Sequence, residues 1–386
     1  MSIDETSELF NHIPLARPFM DQKEIEGVVK VIESGWLCQG PVTEDFERRI
    51  SEFCGGGFVA TTNSCTTAIH LALKNIGVEF GDEVVIPNLT CMANANAVLM
   101  SGAKPVFADV NPNTFNIEVS HIDRVITSKT KAIVCVDQIG LACDLDSLKD
   151  FANSKGIFLI EDAATSLGGK YKGRYLGNHG IPATFSFHPR KMIATGEGGA
   201  IISNDEDFIN RCKVQRSTGA SISDLERHKN RGALLQKYYT SGYNYRFTDL
   251  QAAIGIRQLE RLPYFLSERK KIAANYDSHF SNHPNLCIPF VPEEVDHSYS
   301  SYMLKIVDSN VTPELVIKKM KDKNISCRFG IQPLHQEPFF SDYRLRNDDY
   351  PNTVSVAKSS FFLPIFPGLT LEEQNYIVES VGEIFK

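Results

Sequence analysis

The chain has 386 residues, with 40 Lys and Arg against 47 Asp and Glu, a formal charge of −7, and a composition that is 42% hydrophobic and 23% charged. That is an ordinary globular composition, and the acidic balance argues against general nucleic-acid binding, which needs a basic face to neutralise phosphates. No apolar run approaches the ~20 residues that cross a bilayer, and a chain of this length is expected to divide into two domains.

The first stretch, MSIDETSELFNHIPLARPF, has no basic segment followed by an apolar run, so no secretory leader is expected. Nine cysteines (38, 54, 65, 91, 135, 143, 212, 287 and 327) are scattered singly without a CxxC pair. That usage suits reduced thiols in a cytoplasmic protein and predicts no metal site.

From about Asp21 to Phe53 the pattern is helical, with turns at Ser34-Gly35 and Gln39-Gly40-Pro41. Short apolar runs then predict strands over Phe58–Thr62, Glu83–Ile86, Pro105–Asp109, Ala132–Val136, Phe158–Glu161, Thr184–His188 and Ala200–Ser203. Between them, helices are expected over Thr66–Ile76, Ala93–Gly102, Ser120–Ile126, Asp146–Lys155 and Glu206–Arg216. Alternating strands and helices predict an α/β fold with a mostly parallel sheet covered on both faces. After Arg216 the chain becomes polar and loop-like to about Thr240. A long helix is then expected from Thr248 to Tyr276, with Leu250, Ile254, Gln258 and Leu262 on one face. From about Asn282, strand-like runs (Ser301–Val307, Ser326–Arg328) alternate with helices (Pro313–Lys321, Leu371–Phe385). Residues 1–250 are therefore read as a large α/β domain, and 251–386 as a smaller α+β domain that includes the long helix.

Ligands of open parallel sheets bind at the carboxyl ends of the strands, and three stretches fall there. In TTNSCTTAIHLAL (61–73) a strand ends and a helix begins. Asn63 or Ser64 can cap that helix, leaving the amides of Cys65, Thr66 and Thr67 facing an anion, although an ordinary capped helix reads the same way. In IFLIEDAATSLGG (157–169), Glu161-Asp162 arrives at the end of a buried strand. A carboxylate there needs a cation or several hydrogen bonds. It serves either as a helix cap or as the partner of a ligand cation such as a protonated pyridine. In FSFHPRKMIATGEGGA (185–200), Ser186 and His188 are expected on one side of a strand, and Lys191 follows. A partly buried lysine becomes a usable amine nucleophile or base, and the glycines let backbone pass close to a ligand. An anion cradle, a strand-end carboxylate and a lysine together describe a site for pyridoxal 5′-phosphate (PLP). There is no GxxxxGK[ST] and no strand-linked GxGxxG.

On these blocks, and on GYNYRFTDLQAAIGIRQLERL (242–262), GAKPVFADVNPNTFNI (102–117), PLHQEPFF (333–340) and LPIFPGLTLEEQ (363–374), the sequence resembles the DegT/DnrJ/StrS family of PLP-dependent sugar aminotransferases, in particular perosamine-synthase-like enzymes. The resemblance runs from Pro18 to about Gly368 and implies the fold-type I, aspartate aminotransferase-like architecture. It implies that Lys191 holds the cofactor covalently and moves the proton, that Asp162 pairs with the pyridine nitrogen, and that Ser186 with the backbone at Thr66 and Thr67 holds the phosphate. Asn244 would reach the phosphate of a neighbouring subunit, implying a homodimer with shared active sites. Three positions depart from the family pattern. Cys65 stands where Gly or Ala is usual, Cys91 where an aromatic residue commonly stacks on the cofactor, and Thr165 where His, Gln or Glu lies near the ring hydroxyl. Arg328 and His335, with Arg246 and Tyr243, are candidate substrate contacts, and His188 is read as structural. Members with His in place of the lysine are sugar dehydratases, so Lys191 favours an aminotransferase. The reaction implied takes an amino group from L-glutamate to a keto-sugar, foremost a nucleotide-linked 4-keto-6-deoxyhexose, in biosynthesis of an amino sugar for lipopolysaccharide O-antigen, capsule or a glycosylated natural product. An acyclic or acidic keto-sugar is the alternative, and a non-catalytic PLP-binding regulator a further one.

Overall fold

The computed structural model describes residues 12–222, 226, 230, 235–307 and 310–386. Helix α1 (Gln22–Ser34) starts at a capping box in which Asp21 accepts from the first turn and Glu24 reaches back to the Asp21 amide. Helix α2 (Pro41–Cys54) starts at a proline, where the missing N–H costs nothing. The loop expected between Arg216 and Thr240 lies partly outside the described residues, as do residues 1–11.

The alternating pattern of the next stretch becomes β1 (Phe58–Thr62), α3 (Cys65–Asn75), β2 (Glu83–Pro87), α4 (Met92–Met100), β3 (Lys104–Ala108), α5 (Val119–Ile122), β4 (Thr130–Val136), α6 (Leu145–Lys155) and β5 (Phe158–Asp162). Two short strands, β6 (Lys170–Tyr171) and β7 (Arg174–Tyr175), precede β8 (Ala183–Ser186), β9 (Gly199–Ser203) and α7 (Glu206–Arg216). The main sheet has seven strands in the order β1-β9-β8-β5-β4-β2-β3. It is parallel from β8 to β3, and β9 runs antiparallel to both its neighbours. The carboxyl ends of β1, β8 and β5 and the start of β9 therefore meet at one edge, with Thr62, Gly199 and Ser186 in register.

The buried strands explain the layered packing. One face carries Ala60, Ile86, Val134 and Ile160 against Ile69, Leu73 and Val98 of α3 and α4; the other carries Val85, Ile133 and Leu159 against Leu145 and Leu148 of α6. Helix α8 (Asp249–Phe280) starts at a Thr248–Gln251 capping box and joins two cores. Ala252, Ile256, Leu259 and Leu262 pack with Phe46, Phe185 and Phe187, whereas Ile272, Ala273 and Tyr276 pack with Tyr302, Leu304 and Phe361. Beyond it come β10 (Leu286–Cys287), β11 (Val295–Asp296), β12 (Tyr302–Ile306), α9 (Pro313–Asp322), β13 (Arg328–Phe329), α10 (Pro351–Ser359), β14 (Ser360–Leu363) and α11 (Leu371–Ile384). Strands β10, β12, β14 and β13 form an antiparallel sheet, and β11 pairs instead with β6 and β7.

Some elements depart from the pattern-based expectation. The helix expected over Ser120–Ile126 stops at Ile122, because Val125 and Ile126 both donate to the Ile122 carbonyl in a tight turn. Strand β8 ends at Ser186, where its partner β9 begins, so His188 lies in the following loop and not on the strand face with Ser186.

Candidate active site

Where β1 ends, Ser64 adopts an extended backbone and caps α3, its Oγ accepting the Thr67 amide at 3.2 Å. The Thr67 hydroxyl is held by Asn63 Oδ1 and the Ser64 carbonyl, each at 2.8 Å. The cap therefore absorbs Thr67, while the amides of Cys65 and Thr66 have no partner among the described residues. These are the free N–H groups and positive dipole end that favour an anion. Buried Ser186 stands beside them through Gly199, its neighbour in register. A Cβ at Gly199 would lie 2.5 Å from the Cys65 nitrogen and 2.6 Å from the Ser64 carbonyl carbon, so only glycine lets the sheet come this close to the helix start.

Asp162 closes β5, opposite Val136 and Thr184, and is only 4% exposed. Its Oδ2 accepts from Asn94 Nδ2 at 2.8 Å, and its Oδ1 from the Ala164 amide at 3.0 Å and more weakly from Cys65 Sγ at 3.8 Å. Burial pushes its carboxyl above the usual range, against the pull of the Asn94 hydrogen bond and the positive charge of Lys191. No cation among the described residues lies within ion-pair distance of Asp162, and Lys191 acts on it only through space.

Lys191 sits on the loop between β8 and β9. Phe187 closes that loop, donating to the Gly198 carbonyl and accepting from the Thr195 amide, both at 2.9 Å. Met192 and Ile193 are buried in the core with Phe187, and Ala194 is buried as well, which anchors the lysine on both sides. Gly196 and Gly198 take positive φ (83° and 157°), and a Cβ at Gly198 would strike Phe247 at 2.6 Å. His188 accepts the Arg190 amide at Nδ1 and receives the Lys191 amide on its carbonyl, and burial lowers its imidazole pKa.

The remaining candidates lie on other segments. The Thr165 hydroxyl is committed to the Asp137 carbonyl at 2.5 Å. Cys91 is exposed at the start of α4. The Arg328 guanidinium lies over the Phe362 ring at 5.1 Å, and partial burial and the charge of Arg190 both hold it below its usual range. His335 is buried, its ring nitrogens 2.7 Å from Asn88 Nδ2 and 2.9 Å from Asn347 Oδ1, so it ties the segment around Pro333 to the end of β2. Asn244 is exposed, and its carbonyl accepts from Asn63 Nδ2 at 3.4 Å. The Asn63 amide donates to the Tyr245 carbonyl at 2.9 Å, which joins this block to the cradle. Tyr243 and Tyr245 stack at 4.9 Å with His70 edge-on to Tyr243, and Arg246 follows half-buried.

Residues 18–382 match the DegT/DnrJ/EryC1/StrS aminotransferase family. The chain is 35% identical over 381 residues to the spore coat polysaccharide biosynthesis protein SpsC of Bacillus subtilis (strain 168), covering 97% of this chain and 98% of that one. It is 34% identical over 376 residues to the GDP-perosamine synthase of Escherichia coli O157:H7, covering 97% and 99%. The solved PLP form of Spr1654 from Streptococcus pneumoniae superposes with a TM-score of 0.90 at 28% identity, covering 97% of this chain and 98% of that one. The chain belongs to the DegT/DnrJ/EryC1/StrS aminotransferase family.

As a DegT-family aminotransferase the protein is a PLP-dependent enzyme, and its residues fit the cofactor. PLP brings a phosphate dianion, a basic ring nitrogen and an aldehyde. Against these stand two open amides with Ser186, a buried carboxylate with no ion-pair partner among the described residues, and an anchored amine. Asn94 was not singled out in the sequence although it grips Asp162. Its signal is a polar residue on the face of α4 that otherwise buries Ala95, Ala97 and Val98.

Proposed function

We propose that this DegT-family enzyme moves the amino group of L-glutamate to a nucleotide-linked keto-sugar, a 4-keto-6-deoxyhexose, making an amino sugar for a surface polysaccharide such as an O-antigen. The observation that carries the reading is the convergence of the Cys65–Thr66 amides, buried Asp162 and Lys191 at the carboxyl ends of the strands. Full-length similarity to a GDP-perosamine synthase supports the sugar class.

Bound PLP supplies the electron sink for amino transfer. Asp162, oriented by Asn94 and the Ala164 amide, holds the proton of the ring nitrogen; that cation offsets the burial which now raises its carboxyl. The amides of Cys65 and Thr66, with Ser186, hold the phosphate. Lys191 Nζ would hold the cofactor and, as a free amine, would take the proton from the donor α-carbon and deliver it to the cofactor C4′, as general base and then acid. The neighbouring Arg190 and Arg328 supply positive charge for an anionic substrate group. The same pair gives the alternative, an acidic keto-sugar, its one favourable observation.

The reading includes a homodimer in the cytoplasm. The outer face of α1 exposes Ile25, Val29 and Ile32, flanked by Met20 and Leu37, an apolar surface suited to a second copy. In this reading Asn244, which is exposed, reaches the phosphate of the other subunit. None of the nine cysteines is paired, and no described helix is long and apolar enough to cross a membrane. The test is a panel of nucleotide-linked keto-sugars and keto-sugar acids assayed with glutamate. Turnover restricted to keto-sugar acids would select the alternative, and turnover of neither class would defeat the reading. Mixed Lys191→Ala and Asn244→Asp subunits should regain activity; verified heterodimers without recovery would exclude shared sites.

A further inference from the structure

Directly behind Asp162 lie two carboxyl groups that the reaction does not use. Asp137 follows β4 and Glu161 precedes Asp162 on β5, and both are fully buried. Register sets Glu161 beside Cys135, and Asp137 lies two residues beyond Cys135 on the same side of β4, so the two acids adjoin in the interior, where a hydrogen bond between them requires a shared proton. The remaining lone pairs are served by neutral donors. The Asp137 carboxylate accepts from Ser166 Oγ at 2.8 Å and the Cys143 amide at 3.0 Å, and Glu161 accepts the Gly177 amide at 3.3 Å. The titratable groups facing the pair are Asp162, Cys54, Cys135 and Cys143, and no ion pair reaches either acid among the described residues. Two ionised carboxylates here would be unpaired charges in the interior, whereas one shared proton leaves a single charge held by three donors.

Asp137 is also the joint between the strands and loops around the cofactor. Its amide donates to the Asp162 carbonyl at 3.1 Å, its carbonyl accepts the Thr165 hydroxyl at 2.5 Å, and its carboxylate holds Ser166. We infer that Asp137 and Glu161 form a proton-sharing pair with one negative charge, carried on Asp137, that positions Asp162 and Thr165 and strengthens the hold on the proton of the cofactor ring nitrogen. This rests on the assignment of Asp162 to that nitrogen. Both are positioning residues, since neither reaches the reacting atoms. Asp137 is served by two donors at 2.8 and 3.0 Å and Glu161 only by one amide at 3.3 Å, which places the charge on Asp137 and the proton on Glu161, while burial raises both carboxyls above their ordinary range.

The experiment follows the ring-nitrogen 15N shift against pH in holoenzyme loaded with ring-15N-labelled cofactor, for wild type, Asp137→Asn and Glu161→Gln. Asp137→Asn removes the charge and should lower the transition midpoint by roughly one pH unit, the effect of a unit charge ~10 Å away at an effective dielectric near 20. Glu161→Gln keeps both the donor and the Asp137 charge and should leave the midpoint in place. An unmoved Asp137→Asn, or an equal shift in Glu161→Gln, overturns the inference. A second readout needs no cofactor and covers an Asp137→Asn protein that does not fold. The infrared carbonyl stretch of a protonated carboxylic acid should be present in wild-type apoprotein at pH 7 and reduced in Glu161→Gln; identical spectra overturn the inference. A wild type that shows the infrared band but the shift of an unprotonated ring nitrogen throughout would instead defeat the assignment of Asp162 to that nitrogen.

Discussion

Replacing Gly199 by alanine tests whether the α3 start is the phosphate cradle. The new Cβ would sit 2.5 Å from the Cys65 nitrogen, against 3.4 Å for ordinary contact, so the helix start must retreat by about 0.9 Å. Both of the nearest atoms are backbone, so no side-chain rotation relieves the clash. Overpacking of this kind costs roughly 1–3 kcal/mol of stability. The same movement carries the Cys65 and Thr66 amides away from the phosphate. Hydrogen bonds to charged groups contribute ~1.5–3 kcal/mol each, so losing most of one lowers PLP affinity by roughly 10–100-fold. Titrating apoprotein with PLP through Trp36 fluorescence, alongside thermal melts, separates the two effects. Ile202→Val on the same strand is the control; it costs about 0.5–1.5 kcal/mol of stability and should leave PLP affinity unchanged. A folded Gly199→Ala protein that binds PLP with wild-type affinity would refute the cradle.

Asn94→Leu strands Asp162 Oδ2, leaving a buried acceptor unsatisfied at a cost of ~1–3 kcal/mol, and should slow transamination roughly 10–100-fold; wild-type kcat would contradict the role given to Asn94. Cys91→Phe puts an aromatic ring at the start of α4 and should tighten PLP by roughly 2–10-fold in equilibrium dialysis, the ~0.5–1.5 kcal/mol of an aromatic contact; weaker binding would show that residue 91 does not face the ring. Arg216→Met removes the guanidinium 2.5 Å from Glu47 Oε1 and 2.6 Å from the Thr61 carbonyl, both buried, and should cost ~3–5 kcal/mol in urea unfolding at pH 7. Burial pushes Glu47 up, but Arg216 and Lys213 outweigh it and hold its carboxyl below the usual 4.5. The stability from this pair is thus complete above pH 4.5 and disappears as pH falls through the lower folded value, so the gap between wild type and Glu47→Gln should narrow in acid. A gap that widens in acid would reverse the sign.

The parts of the site legible in the sequence are those written locally. Strand β1 lies at Phe58–Thr62 as the apolar run predicts, and Ser64 caps α3 because a small polar residue precedes a helical pattern. Lys191 was legible as unusual through Met192–Ala194, whose burial fixes it, and through the glycines that follow. What the sequence left open depends on partners far away in the chain. Asn94 meets Asp162 across 68 residues, and Asp137 meets Glu161 only because β4 and β5 are neighbours. The reversal of β9, the two-residue strands β6, β7 and β11, and the pairing of β14 with β12 rest on long-range ladders that no local periodicity encodes. The resemblance supplied Asn244 and the dimer, which the aromatic pattern of 242–247 does not carry alone.

The measurement closest to the central claim is borohydride reduction of the PLP-loaded protein followed by peptide mapping. The account predicts a single pyridoxyl group on Lys191, and loss of both this adduct and glutamate-dependent amination in Lys191→Ala. An adduct on another lysine, or turnover surviving in Lys191→Ala, would contradict it.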